Sequence, residues 1–212
     1  MIGLLFVAVV LLGYLIGAIP CGVLAGRLTR RIDVRDYGSG GMGMTNVQRT
    51  LGAKAAGFVF VADLLKGAAA VGASWGIFAA FRPDLLTWSL MAGGAAAVIG
   101  HNWPVYVGFR GGRGVSTSFG ALLVISWPVA LIAVGIFILV VALSRYVSLG
   151  SILAGLAMVL TMIVFVLFNL EPFAYLVFGL VVVTTVVIRH RGNIKRLLSG
   201  TERKLGQRTE VP

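Results

Sequence analysis

The chain alternates long apolar runs with short polar, glycine-rich segments. Residues 2–26 are apolar apart from Tyr14 and Pro20, and 27–52 are polar. A second apolar run, 53–81, is interrupted by Asp63 and Lys66 and closes on a turn at Arg82-Pro83-Asp84. A third covers 85–101, and a second glycine-rich loop follows at 102–114. Residues 115–144 are apolar with Trp127-Pro128 inside them, Arg145 to Ser148 breaks the pattern, and 149–168 is apolar again. A turn at Asn169 to Pro172 leads into 173–188, and a polar tail begins at Arg189. Runs of this length predict helices that cross a bilayer, because about 20 apolar residues span a ~30 Å hydrocarbon core. The first run is too long for a cleaved signal peptide, and its positive charge follows it rather than preceding it. Gly13-x3-Gly17 and Gly22-x3-Gly26 give it smooth faces suited to close helix packing.

Composition strengthens that picture. Of 212 residues, 58% are hydrophobic and 12% charged, against roughly 25% charged in a soluble domain. A chain this short cannot bury so much apolar surface in an aqueous globule. The expected fold is all-α, a polytopic integral membrane helix bundle forming one domain over 1–212. The net charge of +11 is gathered into islands. Six basic residues lie between Arg27 and Lys54, and Arg110 and Arg113 form a pair. Seven more fill the tail: Arg189, Arg191, Lys195, Arg196, Arg203, Lys204 and Arg208. Islands between apolar runs are no nucleic-acid face. Basic residues near span ends favour the cytoplasm, which places the 27–52 loop, the 102–114 loop and the 189–212 tail inside. An even number of crossings must then connect the second loop to the tail. As one helix, 115–144 is about 45 Å long, longer than the membrane core. Splitting it near Trp127-Pro128 gives seven transmembrane helices, N-terminus out and C-terminus cytoplasmic. Six, with that helix unsplit, is the alternative.

The first loop reads Gly38-Ser39-Gly40-Gly41-Met42-Gly43-Met44-Thr45-Asn46-Val47-Gln48-Arg49. Its formal Gly-x-Gly-x-x-Gly lies between apolar spans rather than in a βαβ unit, and Met44 stands where a P-loop needs lysine. The physics shared by those motifs survives. Consecutive glycines allow backbone N–H groups to converge on an anion, and a following helix offers its N-terminus. Ser39, Thr45 and Asn46 add donors, and Arg49 adds a planar fork matched to phosphate. The second loop repeats the logic: Gly100-His101-Asn102-Trp103-Pro104, then Phe109-Arg110-Gly111-Gly112-Arg113-Gly114-Val115-Ser116-Thr117. The tail adds His190-Arg191-Gly192-Asn193-Ile194-Lys195-Arg196 on the same face. Asp63 and Lys66 are three apart on one helix and can pair, either as a functional group or as a brace. The single cysteine, Cys21, reads as packing. No His/Cys spacing suits a metal, no Gly-x-Ser-x-Gly elbow is present, and Tyr106 occupies the acid position of a His-x4-Asp pattern after His101. No cofactor or metal is expected. A small anion or phosphate transporter is the rival class, but no inverted repeat is visible.

The three segments resemble the bacterial membrane glycerol-3-phosphate acyltransferases that use acyl phosphate. That family's Gly-Ser-Gly-Asn-x-Gly-x-Thr-Asn-x-x-Arg is similar to 38–49, with Gly41 in place of Asn. Its Gly-His-x-x-Pro and Phe-x-Gly-Gly-Lys-Gly-Val-Ala-Thr are similar to 100–117, with Arg113 for Lys and Ser116 for Ala. Its His-Arg-x-Asn-Ile-x-Arg-Leu and Gly-x-Glu are similar to His190–Leu197 and Gly200-x-Glu202. The Asp-x-x-Lys-Gly at 63–67 also looks like theirs, and the family's seven-span fold agrees with the parity argument. The resemblance implies acyl transfer from acyl phosphate to glycerol 3-phosphate, giving 1-acylglycerol 3-phosphate and phosphate, the entry step of phospholipid synthesis. It implies a bacterial plasma-membrane location, with membrane lipids and the acyl-phosphate-forming enzyme as candidate partners. It carries His190, Ser39, Arg49, Arg113 and Asn193 over as catalytic. It carries Gly38, Gly40, Gly43, Thr45, Asn46, His101, Arg110, Gly111, Gly112, Gly114, Ser116, Thr117, Arg196 and Glu202 over as substrate-binding. On that basis Ser39, Thr45 and the 38–43 backbone are expected to hold one phosphate, and Arg49, Arg113 and Asn193 the other. His190, His101 or a substrate phosphate oxygen is expected to take the hydroxyl proton.

Overall fold

The computed structural model describes residues 1–207 and 209; Arg208 and the tail's end, 210–212, lie outside the described residues. Every long apolar run is helical. Helix α1 (Ile2–Ala18) leads through Ile19-Pro20 into α2 (Cys21–Arg30). The short α3 (Met44–Leu51) precedes the long α4 (Ala53–Phe81). Then come α5 (Leu86–Asn102), α6 (Val115–Ile125), α7 (Trp127–Ser144), α8 (Val147–Leu167), α9 (Phe173–Arg189) and α10 (Arg191–Leu198).

Two departures from the sequence pattern shape the site. The first run is not one helix ending at 26. Pro20 has no N–H to donate and disrupts the turn before it, so the chain breaks at Ile19-Pro20 and continues helical to Arg30. The polar tail that begins at Arg189 opens on a further helix that the pattern did not mark: α10 leaves α9 at a 60° bend at His190. The expected break within 115–144 is present at Ser126, with Pro128 accommodated in the first turn of α7.

Four helical segments are long and apolar enough to cross a membrane: 2–30 taken through its break, 53–81, 127–144 and 147–167. A fifth is 173–198 if its bend belongs to one span. Helices α5, with 17 residues, and α6, with 11, are shorter, and both sit inside the bundle. Helix α5 packs against α1, α4, α6 and α9, while α6 packs against α4, α5, α7 and α9. Small residues make these approaches close. A Cβ at Gly13 would collide with the backbone of Gly93, and one at Gly17 with that of Ala97. Gly67 and Gly120 do the same between α4 and α6. One apolar core gathers Val71, Met91, Val98, Leu122, Met162 and Phe178. A second, around Val23, Val34, Met42, Val47 and Val59, anchors the first polar loop to α2 and α4. Cys21 lies in that second core as a buried thiol.

Candidate active site

The first loop is built around Asn46. Gly38 and Gly40 adopt positive φ of 64° and 72°, the left-handed region that glycine enters without steric cost. They fold the loop back over the first turn of α3. The buried Asn46 Oδ1 accepts from Ser39 N at 2.7 Å and from Ser39 Oγ at 3.2 Å. Its Nδ2 donates to the carbonyls of Val34 (2.8 Å), Tyr37 (3.1 Å) and Gly41 (2.7 Å). Asn46 was expected to meet substrate, yet its amide is saturated by its own loop, and it holds Ser39 in place. A Cβ at Gly38 would strike Asn46 Oδ1, so the glycine and the asparagine require each other. Gly43 begins α3, and Thr45 and Arg49 stand on that helix. Both line a cavity of about 160 Å³ with Gln48, Gly52 and residues 205–207.

The second loop is held from outside itself. Gly111 and Gly112 lie on buried His101: an added Cβ would strike the His101 carbonyl or its Nε2. Gly112 N donates to the His101 carbonyl at 3.1 Å. Arg189 donates to Gly112 O from Nε (2.8 Å) and to Gly111 O from Nη2 (3.0 Å), while its guanidinium lies 5.5 Å from the Trp103 ring. Gly114, at φ 76°, precedes the first turn of α6 with half-buried Ser116. His101, a candidate base, is only 3% exposed and its Nδ1 lies 3.5 Å from Asp63 inside the bundle. Thr117 is fully buried, with its backbone against Gly67 of α4. Arg110 is exposed. His101 and Thr117 thus belong to the packed bundle, and Arg110 to the surface.

The third segment closes the site. His190 is buried at the α9–α10 bend, and its Nδ1 lies 2.8 Å from the Val186 carbonyl. A carbonyl only accepts, so Nδ1 carries the hydrogen and Nε2 is left as an acceptor. Burial, aided by the Arg113 charge, lowers its pKa to about 4, so the ring is neutral at pH 7. Glu202 accepts from Asn193 Nδ2 (2.6 Å), Ser148 Oγ (2.9 Å) and Arg196 Nε (2.7 Å). Burial would raise this carboxyl, but those three donors hold it below its ordinary pKa. Glu202 was expected to bind substrate. A carboxylate has no proton to offer a phosphate, and this one instead orients Asn193 and Arg196. Ser148 has no counterpart in the sequence motifs.

The three segments meet in one excess of positive charge. The charges of Arg196, Arg49 and Arg189 act on Arg113, and among the described residues Glu202 is the one carboxylate acting on it. Burial, then these cations, brings its pKa down to about 10 while Glu202 pulls upward, so it remains charged at pH 7. Arg49 is also lowered, by burial and by Arg203. Among the described residues no carboxylate pairs with Arg49, Arg113 or Arg189. Cations in surplus, Arg49 buried and Arg113 half-buried, are arranged to receive anions. On the side of Glu202 a cavity of about 620 Å³ is lined by Gly200, Thr201, Glu202, Arg203, Gln207 and Thr209.

Residues 7–200 match the family described as glycerol-3-phosphate acyltransferase. The chain belongs to that family. It is 41% identical to a glycerol-3-phosphate acyltransferase of Nostoc sp., over 95% of this chain and 92% of the relative. It is 43% identical to one of Thermoanaerobacter pseudethanolicus, over 95% and 96%. Its backbone is similar to the crystal structure of PlsY (YgiH), an integral membrane glycerol 3-phosphate acyltransferase, in its glycerol 3-phosphate form. That likeness has a TM-score of 0.84 and 36% identity, over 95% of this chain and 96% of that one. The lysophosphatidic acid form of PlsY matches with a TM-score of 0.82. The chain is thus an integral membrane acyltransferase, all-helical among its described residues.

Proposed function

We propose that this enzyme transfers a fatty acyl group from acyl phosphate to the first hydroxyl of glycerol 3-phosphate, releasing 1-acylglycerol 3-phosphate and inorganic phosphate. The observation that carries the reading is the surplus of arginine: Arg49, Arg113 and Arg196, one from each segment, act on one another, with Glu202 as the one carboxylate acting on Arg113 among the described residues. Two phosphorylated substrates repel each other, and such a surplus lets both be held at once.

Phosphate is a good leaving group, so the chemistry needs positioning and charge stabilisation more than an enzyme nucleophile. The acceptor hydroxyl adds to the acyl carbonyl, the carbonyl–phosphate bond breaks, and phosphate departs with the electron pair. Thr45 and the 38–43 backbone, held by Asn46, seat one phosphate with Ser39. Arg49, Arg113 and Asn193 seat the other. A His190 with a pKa of about 4 is a weak base at pH 7, so a substrate phosphate oxygen takes the hydroxyl proton. His190 Nε2 accepts a hydrogen bond from the acceptor. The bundle crosses a bacterial plasma membrane seven times, with α5 and α6 shielded by their neighbours. Its N-terminus is outside, and the arginine cleft opens to the cytoplasm.

Purified enzyme in detergent, given palmitoyl phosphate with and without glycerol 3-phosphate, tests this directly. Phosphate release that depends on the acceptor and equals the lysophosphatidic acid formed is expected. Activity with acyl-CoA alone would overturn the donor assignment.

A further inference from the structure

Two arginines outside the glycine motifs grip the second loop from opposite ends. Arg35, which follows α2, donates from Nη1 to the carbonyls of Val107 (2.7 Å) and Arg110 (3.0 Å). Its Nε and Nη2 are fixed in turn by Asp33, at 2.9 and 2.6 Å. That hydrogen-bonded pairing keeps the Asp33 carboxyl below its ordinary pKa. At the other end, Arg189 takes the carbonyls of Gly111 and Gly112. Four of the six carbonyls between residues 107 and 112 are thus held by guanidinium groups from distant parts of the chain. In a trans peptide the carbonyl of one residue and the N–H of the next point in opposite directions. Holding Arg110 O and Gly112 O therefore fixes where the N–H groups of Gly111 and Arg113 point, and with them the base of the Arg113 side chain.

Glycines at 108, 111, 112 and 114 give this loop little stiffness of its own. Phe109 adopts φ 60°, a left-handed conformation that a non-glycine residue holds only when its surroundings require it. The Phe109 amide is tied to the Pro104 carbonyl at 2.9 Å, between the two guanidinium grips. The first loop has an internal organiser in Asn46. Among the described residues the second has no such side chain; besides its backbone bonds to His101 and Pro104, it is held by Asp33-Arg35 on one side and Arg189 on the other.

We infer that Arg35 and Arg189 are positioning residues for the acyl transfer, holding the 107–114 segment so that Arg113 and its neighbouring amides are preset for the phosphate of one substrate. This rests on the reading given under Proposed function. The effect is specific to one substrate, because among the described residues only the second loop is clamped this way.

The test uses Arg35→Lys and Arg189→Lys in the full-length enzyme, with rates expressed per folded protein after thermal unfolding in detergent. Lysine keeps the charge and loses the fork that spans two carbonyls. The expected result is a KM raised about tenfold for one of the two substrates, the equivalent of one lost charged hydrogen bond. The KM of the other substrate stays within about twofold and kcat within about threefold. Arg35→Ala and Arg189→Ala should go further in the same KM, and where alanine prevents folding the lysine variants carry the result. Unchanged KM values, equal rises in both, or lysine variants that match wild type would overturn the inference. A wild-type enzyme without acceptor-dependent phosphate release would instead overturn the acyl-transfer reading, and this inference with it.

Discussion

Charge is gathered away from bulk water in two places in this molecule, and the two are built in opposite ways. Between α1, α4 and α5, Lys66 and Asp63 pair at 2.8 Å with side chains only 4% and 2% exposed. Lys66 also donates to the Ile19 carbonyl at 2.8 Å, where the helix is interrupted before Pro20. His101 completes this group, 3.5 Å from Asp63. Positive and negative charge balance there, and nothing in the arrangement invites an outside ion. In the cleft, among the described residues, Arg49 and Arg113 pair with no carboxylate, and the one acidic group near them, Glu202, is already held by Asn193, Ser148 and Arg196. The first group ties helices together. The second is an unfilled electrostatic demand, which substrate fills.

The difference can be broken by mutation. Arg49→Ala and Arg113→Ala should each lower kcat/KM by about 10³-fold, roughly 4 kcal/mol of transition-state stabilisation. Thermal stability in detergent should hold or rise, because a cation in surplus, buried at Arg49 and half-buried at Arg113, is removed. Kinetics and unfolding on the same preparations check both halves. A large loss of stability with little loss of rate would make these arginines structural and erase the contrast. Lys66→Met should do the reverse. It strands Asp63 and should cost about 3 kcal/mol of stability, while kcat/KM per folded enzyme stays within about threefold. The double change Asp63→Asn with Lys66→Met should recover more than half of that loss, since no lone charge remains. A double variant as unstable as the single one would show that the Ile19 contact, not the ion pair, is what matters.

Much of the architecture was legible in the pattern of apolar runs. The 53–81 run is α4 to the residue, and the argument from helix length placed a break where Ser126 interrupts the chain. The Gly13 and Gly17 face was legible because small residues at four-residue spacing have one physical use in a bundle. The Pro20 break was masked by the apolar residues on both sides of it. In the site, residue type revealed the chemistry but not its direction. Arg49, Arg113, Asn193, His190 and Arg196 do converge. Asn46 and Glu202 carry the right groups, turned toward the protein itself. Arg35, Arg189 and Ser148 act on segments 54 to 78 residues away. Apolar periodicity and local motifs contain no signal for such pairings.

The smallest effect concerns position 41, where this chain has glycine and the motif it resembles has asparagine. A side chain there meets no steric objection: nothing lies within 4 Å of an added Cβ, and Gly41 is not among the positive-φ glycines. Its carbonyl is already held by Asn46 Nδ2. The loop's geometry therefore comes from Asn46, from inside, as the Asp63–Lys66 pair holds its helices from inside. Gly41→Asn should raise stability by about 0.5 kcal/mol, through reduced freedom of the unfolded chain. It should leave kcat/KM within about threefold. Asn46→Ala, by contrast, removes the organiser and should loosen Ser39 and Thr45 together. A Gly41→Asn enzyme whose KM for one substrate fell more than tenfold would place position 41 in direct contact with phosphate. The first loop would then hold its anion with side chains as well as with backbone, and would stand closer to the arginine cleft than to the closed ion pair.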